Sequence, residues 1–177
     1  MVMKQRSIFS SVVPLLLAML LFLPSTVVLA GSTLSLAGPL VKQREWAVAD
    51  LAQLPQTELV FSRSVSGGEA QEVSKTAYRG VLLRDLLQAA KLHEAARHDF
   101  RRMLVISRAS DGYVALFTWG ELFNTKLGEQ ILVITRVNGK PLADAEGPYA
   151  LRALADSRPG PRHVKWLKQI EVIRIGS

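Results

Sequence analysis

The chain has 177 residues, a formal net charge of +7 and no cysteine, so disulfide staples and thiolate chemistry are both excluded. Its basic balance lacks the interleaved aromatic and basic residues of nucleic-acid binders, which argues against nucleic acid as a partner. The charge suits a small anionic ligand, an acidic partner or an anionic membrane surface, and ordinary solubility accounts for it equally well.

Lys4 and Arg6 form a short basic start, followed by an almost unbroken apolar run of 16 residues from Ile8 to Leu23. A helix needs about 20 apolar residues to span a bilayer comfortably. Pro24 ends the run, and Val28-Leu29-Ala30 ahead of Gly31 offers compact residues at a cleavage position. The pattern predicts a general secretory signal peptide over residues 1–30, with an uncleaved anchor as the alternative. For a Gram-negative source this implies the periplasm. Lys4 and Arg6 are the only charges in that segment, so residues 31–177 carry +5. Their length is that of one domain able to bury its own core.

Thr33 to Ala37 alternates with period two and stops at Gly38-Pro39, predicting a strand and a turn. Ala47 to Leu54 places Val48, Leu51 and Ala52 at helical spacing, closed by Pro55. Glu58 to Ser62 reads as a second strand, and Ser66-Gly67-Gly68 as a turn. Val81 to Leu92 is the clearest predicted helix, with Leu83, Leu86, Leu87 and Ala90 on one stripe. Met103–Ser107 and Tyr113–Phe117 read as strands joined across Ser110-Asp111-Gly112. Thr118-Trp119-Gly120-Glu121 has capping-box spacing for a short helix. Ile131 to Val137 is a β-branched strand turned by Asn138-Gly139, and Ile170 to Ile175 supplies the last strand. The expected fold is therefore α+β: a mixed β-sheet domain with two or three helices.

Several of these pieces, in order, resemble the oxidoreductase molybdopterin-binding domain of the sulfite oxidase family. They are Leu34–Gly38, Val48 to Pro55, Tyr78-Arg79-Gly80-Val81 running into Leu86-Leu87, Val137 to Leu142, Glu146 to Tyr149, and Arg162-His163-Val164-Lys165-Trp166-Leu167. The resemblance is closest to short, stand-alone exported members. It implies a sulfite oxidase-type fold and a cleft for a molybdopterin cofactor. In that family a cysteine thiolate ligates molybdenum, at a place matching Phe61-Ser62-Arg63-Ser64 here. A serine hydroxyl is no substitute for that soft ligand. The family's "G-P-x-R" stretch is also altered, to Gly147-Pro148-Tyr149-Ala150. Loaded molybdenum enzymes are generally exported folded through paired arginines, which Met-Val-Met-Lys-Gln-Arg lacks.

By the same resemblance, Arg63, Arg158, Arg162, His163 and Lys165 are the expected anion or cofactor contacts, because their segments line the family's cleft. Arginine forks suit phosphate, sulfate or carboxylate. A solvated basic loop is the plainer reading of the same cluster. Trp166, between apolar neighbours, is expected in the core, with a place covering the cleft as the alternative. Asp111 and Gly112 are explained by a turn, whereas Tyr113 is left open. His93 and His98 are five residues apart and, with His163, form no metal-ligand spacing.

These observations favour an exported domain of this fold without molybdenum catalysis, binding a small anion or a membrane-bound signalling or redox partner. The competing readings are an active molybdopterin-dependent oxidoreductase subunit and a purely structural protein. Cleavage after Ala30 is expected to leave a soluble mature chain beginning Gly31-Ser32-Thr33 in a periplasmic extract. Intact-mass measurement checks this, and full-length protein confined to membranes would overturn it.

Overall fold

Two β-sheets face each other across one apolar core. The structure, a computed structural model, describes residues 32–39, 41–67, 70–91, 99–158 and 160–176, with backbone only for 64–67 and 70–72. The strands are β1 (Leu34–Ala37), β2 (Arg44–Trp46), β3 (Thr57–Gly67), β4 (Ala70–Leu82), β5 (Met103–Ala109), β6 (Val114–Thr118), β7 (Ile131–Val137), β8 (Lys140–Pro141), β9 (Ala150–Ala153), β10 (His163–Val164) and β11 (Leu167–Arg174). Among the described residues three α-helices accompany them, α1 (Val48–Leu51), α2 (Leu83–Ala90) and α3 (Trp119–Asn124), with short 3-10 turns at Phe100–Arg102 and Lys126–Gln130. The first sheet has the order β2-β1-β11-β5-β6, and the second has β10-β9-β7-β4-β3 with β8 beside β7. The β1–β11 pair is parallel, and every other pair is antiparallel. The fold is α+β, as the sequence pattern predicts.

Alternation along each strand builds the core. Leu34, Leu36, Val105, Phe117, Ile170 and Val172 enter it from the first sheet; Val81, Ile131, Val133, Leu151 and Val164 enter from the second. Helix α2 adds Leu83, Leu86, Leu87 and Ala90, the predicted stripe, all buried. The second sheet also has a smaller apolar cluster on its outer face, where Leu82, Leu132 and Ile134 pack with Tyr78, Val137 and Leu142. This outer face carries the candidate site.

The turns follow local chemistry. Asn138 and Gly139 both take positive φ, 50° and 75°, the backbone that a two-residue hairpin of the primed type requires. The Asn138 side-chain oxygen accepts from the Ala77 amide at 2.9 Å, so the turn also docks onto β4. Asp111 accepts from the Tyr113 amide at 2.9 Å, which makes it a turn residue. The Thr118 hydroxyl caps α3 by accepting from the Glu121 amide at 3.1 Å. The Glu121 carboxylate is used elsewhere, so only half of the predicted capping box forms.

Several sequence expectations are corrected. The helix predicted from Val81 starts at Leu83, because Val81 and Leu82 close β4 against Val133 and Leu132 of β7. They read as helix because both are apolar, and they are apolar because each face of that strand end meets its own cluster. β4 itself is not predicted from the sequence: its polar stretch through Ser74, Lys75 and Thr76 hides a strand paired to β3 from Ala70 to Gly80. β9 and β10 are too short for periodicity to register. Trp166, expected in the core, is 38% exposed with φ of 44°. His93 and His98 lie outside the described residues, as do residues 1–31.

Gly80 sits where the β4–β7 register shifts, and a Cβ there would stand 1.9 Å from the Val133 carbonyl oxygen. Backbone has to move to admit it, so Gly80→Ala is expected to cost about 3 kcal/mol of stability, read from urea unfolding midpoints. A loss under about 0.5 kcal/mol would show that the bulge relaxes freely.

Candidate functional site

Between Arg162 and Lys165 the chain alternates sides. Val164 is fully buried in the core, and Arg162 lies on the same side; His163 and Lys165 face outward. Period two thus divides the predicted cationic cluster between two different environments.

Arg162 turns inward and is held there. Its Nε donates to Asp156 at 2.8 Å, a second nitrogen donates to the other Asp156 oxygen, and a third pairs with Glu121 of α3. The guanidinium also lies 5.0 Å from the centre of the Phe117 ring in β6. The Asp156 hydrogen bonds, with those of Glu121, outweigh desolvation and hold the guanidinium protonated more firmly than usual. An arginine so engaged is a structural clamp with little left to offer an anion.

The outer side holds a different constellation. His163 Nε2 donates to Glu146 at 2.7 Å, and Lys165 reaches the other Glu146 oxygen at 3.0 Å. Burial pushes the His163 pKa below its ordinary value, against the pull of Glu146, and the neighbouring Arg152 charge adds to the depression. The imidazole is accordingly neutral near pH 7.

Arg152 of β9 is paired in register with His163. Its guanidinium lies 5.0 Å from the ring centres of both Phe61 and Tyr78, and it donates to the Tyr78 hydroxyl. Phe61 belongs to β3, which is separated from β9 in pairing order by β7 and β4, so the sheet curls to bring them together. Arg152 Nε is buried with no acceptor, and among the described residues no carboxylate stands within ion-pair distance of this side chain. A buried donor of a charged group without a partner is costly. Beside it opens a cavity of about 180 Å³, lined by Tyr78, Val137, Leu142, Ala143, Arg152 and His163, with Glu146 at its wall.

Of the residues expected from sequence, His163 lines this cavity, while Lys165 attends it through Glu146. Arg63 is exposed on β3, two residues beyond Phe61 and so on the same face. Arg158 is exposed in the loop before β10. Arg162 faces away, so the expected anion contacts Arg158, Arg162 and Lys165 do not line this cavity. Tyr113 donates to the Pro161 carbonyl at 2.7 Å and braces that loop. Trp166 Nε1 donates to the Asp144 carbonyl at 3.1 Å, and its ring covers Gly147, where a Cβ would stand 2.5 Å from Trp166 Cδ1. Arg152, Tyr78, Phe61 and Glu146 are the residues that sequence reasoning missed. An isolated arginine in an apolar stretch, Tyr149-Ala150-Leu151-Arg152-Ala153-Leu154, was the available signal for the first of them.

Removing the clamp leaves two part-buried carboxylates facing each other unpaired. Arg162→Ala is expected to lower stability by about 3 kcal/mol at neutral pH, and Arg162→Lys by roughly half of that, with chemical denaturation as the measurement. A change under about 0.5 kcal/mol would restore Arg162 as a free cation.

Comparisons with known proteins bear on the family and the fold. The sequence profile of a family described as "oxidoreductase molybdopterin binding domain" matches residues 24–176. Among solved structures, the chain is similar to the sulfane dehydrogenase SoxCD from Paracoccus pantotrophus, with 17% sequence identity and a TM-score of 0.58. That match covers 80% of this chain but 38% of the other, so the chain spans well under half of its neighbour's length. No curated protein matches the sequence. The fold is thus of the sulfite oxidase type, and the chain belongs to the oxidoreductase molybdopterin-binding domain family.

Proposed function

We propose that this chain is an exported member of its family that carries no molybdenum catalysis and binds a small anion on the outer face of its second sheet. The carrying observation is Arg152, a part-buried cation whose Nε lacks an acceptor and which has no carboxylate partner among the described residues. With His163 neutral and Glu146 balanced by Lys165, the local charge is that of one arginine. An anion that accepts from the terminal nitrogens of this guanidinium neutralises its charge. Arg63 is exposed farther along the same face of β3 and does not line the cavity.

The cofactor that the family's description implies meets a donor set that does not fit its metal. The chain contains no cysteine to supply a thiolate. The hydroxyl of Ser62, exposed on β3 where the metal-binding cysteine is expected, is too weak an acid to take that part. Among the described residues, no group of three or more His, Asp or Glu side chains is placed to hold a metal ion. Arg162, expected from the resemblance to contact an anion or the cofactor, is committed to Asp156 and Glu121. These facts support a family member whose cleft is kept for recognition.

Two measurements on the purified mature protein test this. Elemental analysis is expected to find far less than one molybdenum per chain; near-equimolar molybdenum would restore the oxidoreductase reading. Calorimetry is expected to detect sulfate binding that weakens with salt, since charges screen over about 8 Å at physiological ionic strength. Arg152→Gln is expected to weaken that binding by about 1.5–3 kcal/mol, the worth of a charge-assisted hydrogen bond. Equal affinities in wild type and variant would remove Arg152 from the account.

A further inference from the structure

The cavity beside Arg152 is only partly polar, and its polarity is one-sided. Arg152, His163 and Glu146 stand at one side, while Ile134, Val137, Leu142 and Ala143 form the other. Ile134 is 1% exposed, and Val137 and Leu142 pack against it in the outer apolar cluster, so this wall is continuous with packed hydrophobic structure. The Tyr78 ring lies between, offering a flat apolar surface beside the guanidinium. A bare inorganic anion gains nothing from such a wall. Its oxygens would lose water against Val137 and Leu142 without replacement hydrogen bonds.

Resting on the anion-binding reading above, we infer that the site's ligand is a monoanion with a compact apolar body, of the class of benzoate or a short branched-chain carboxylate. The head accepts from Arg152, and the body fills the chamber against Ile134, Val137, Leu142 and the Tyr78 ring. Size supports this class. The cavity is about 180 Å³, and an apolar cavity of about 150 Å³ in another protein holds one benzene. Charge supports it as well: with Glu146 balanced by Lys165, the one uncompensated arginine matches one negative charge. Apolar area also adds affinity in proportion to the carbon buried, at roughly 0.8 kcal/mol per methylene-sized group.

The experiment titrates wild type, Ala143→Leu and Arg152→Lys with benzoate, acetate and sulfate by calorimetry at constant ionic strength. Ala143 is exposed at the chamber rim, so a larger side chain there fills the chamber without disturbing the core. Benzoate is expected to bind wild type at least tenfold more tightly than acetate. Ala143→Leu is expected to lower benzoate affinity at least tenfold while sulfate and acetate change less than twofold. Arg152→Lys is expected to weaken all three, and keeps a charge should deeper truncation impair folding. Equal affinities for benzoate and acetate, or benzoate binding unchanged in Ala143→Leu, would overturn the apolar-body assignment and leave simple anion binding standing. No binding of any of the three would overturn both.

Discussion

The Arg162 clamp is the interaction on which the rest of the arrangement depends. Arg162 leaves the second sheet at the β9–β10 connection, reaches Glu121 of α3, and lies over Phe117 of the first sheet. One guanidinium therefore ties both sheets and a helix at the edge where neither sheet has a further strand. Its two carboxylates are themselves only part exposed, so the charges interact in a medium that screens them less than water does. The strand that follows inherits its register from this anchor. With Arg162 pointing inward, alternation sends His163 outward, Val164 into the core and Lys165 outward again.

A second constraint sets the far end of that segment. Trp166 takes a left-handed backbone, φ 44°, which costs energy for a bulky residue and persists only where surroundings hold it. Here its amide donates to Glu146 at 2.8 Å, its carbonyl accepts from Ser110 at 3.0 Å, and its indole donates to Asp144. Gly147 is the residue that makes this possible, since no side chain would fit beneath the ring. The backbone pairing also fixes Glu146, which is what His163 and Lys165 share. Fold and site thus meet in the same few peptide groups. The Tyr149 hydroxyl completes the region, lying 2.8 Å from the Ser32 carbonyl oxygen and 2.9 Å from that of Trp46. Burial pushes its pKa up to about 12, so it stays a neutral donor at any ordinary pH.

Much of the architecture was legible in the chain. Asn138-Gly139 announced its hairpin because only a few residues tolerate positive φ, and both positions adopt it. Leu83, Leu86, Leu87 and Ala90 announced α2 because an 8-residue helix with one buried face repeats its apolar positions at helical spacing. The family's ordered motifs, ending in Arg162 to Leu167, supplied the fold type. The illegible parts share a cause. β4 carries polar residues where its hairpin with β3 extends beyond β7, and apolar residues on both faces where it is covered. It shows neither simple alternation nor a continuous apolar run, and tertiary cover decided its form.

The candidate site shows the same division more sharply. Composition alone established that no thiolate is present, since that requires only counting. Sequence also located the basic segment from Arg158 to Lys168, because covalent neighbours stay neighbours. Which of those cations remain available was decided by partners outside that segment, brought to it by the fold. Asp156 and Glu121 engage Arg162, and Glu146 engages His163 and Lys165. The curl that carries Phe61 across to Arg152 joins residues far apart in sequence. Charge is written residue by residue. Its pairing and burial depend on which side of a strand each residue faces, and on what the opposite sheet or its own far edge brings there.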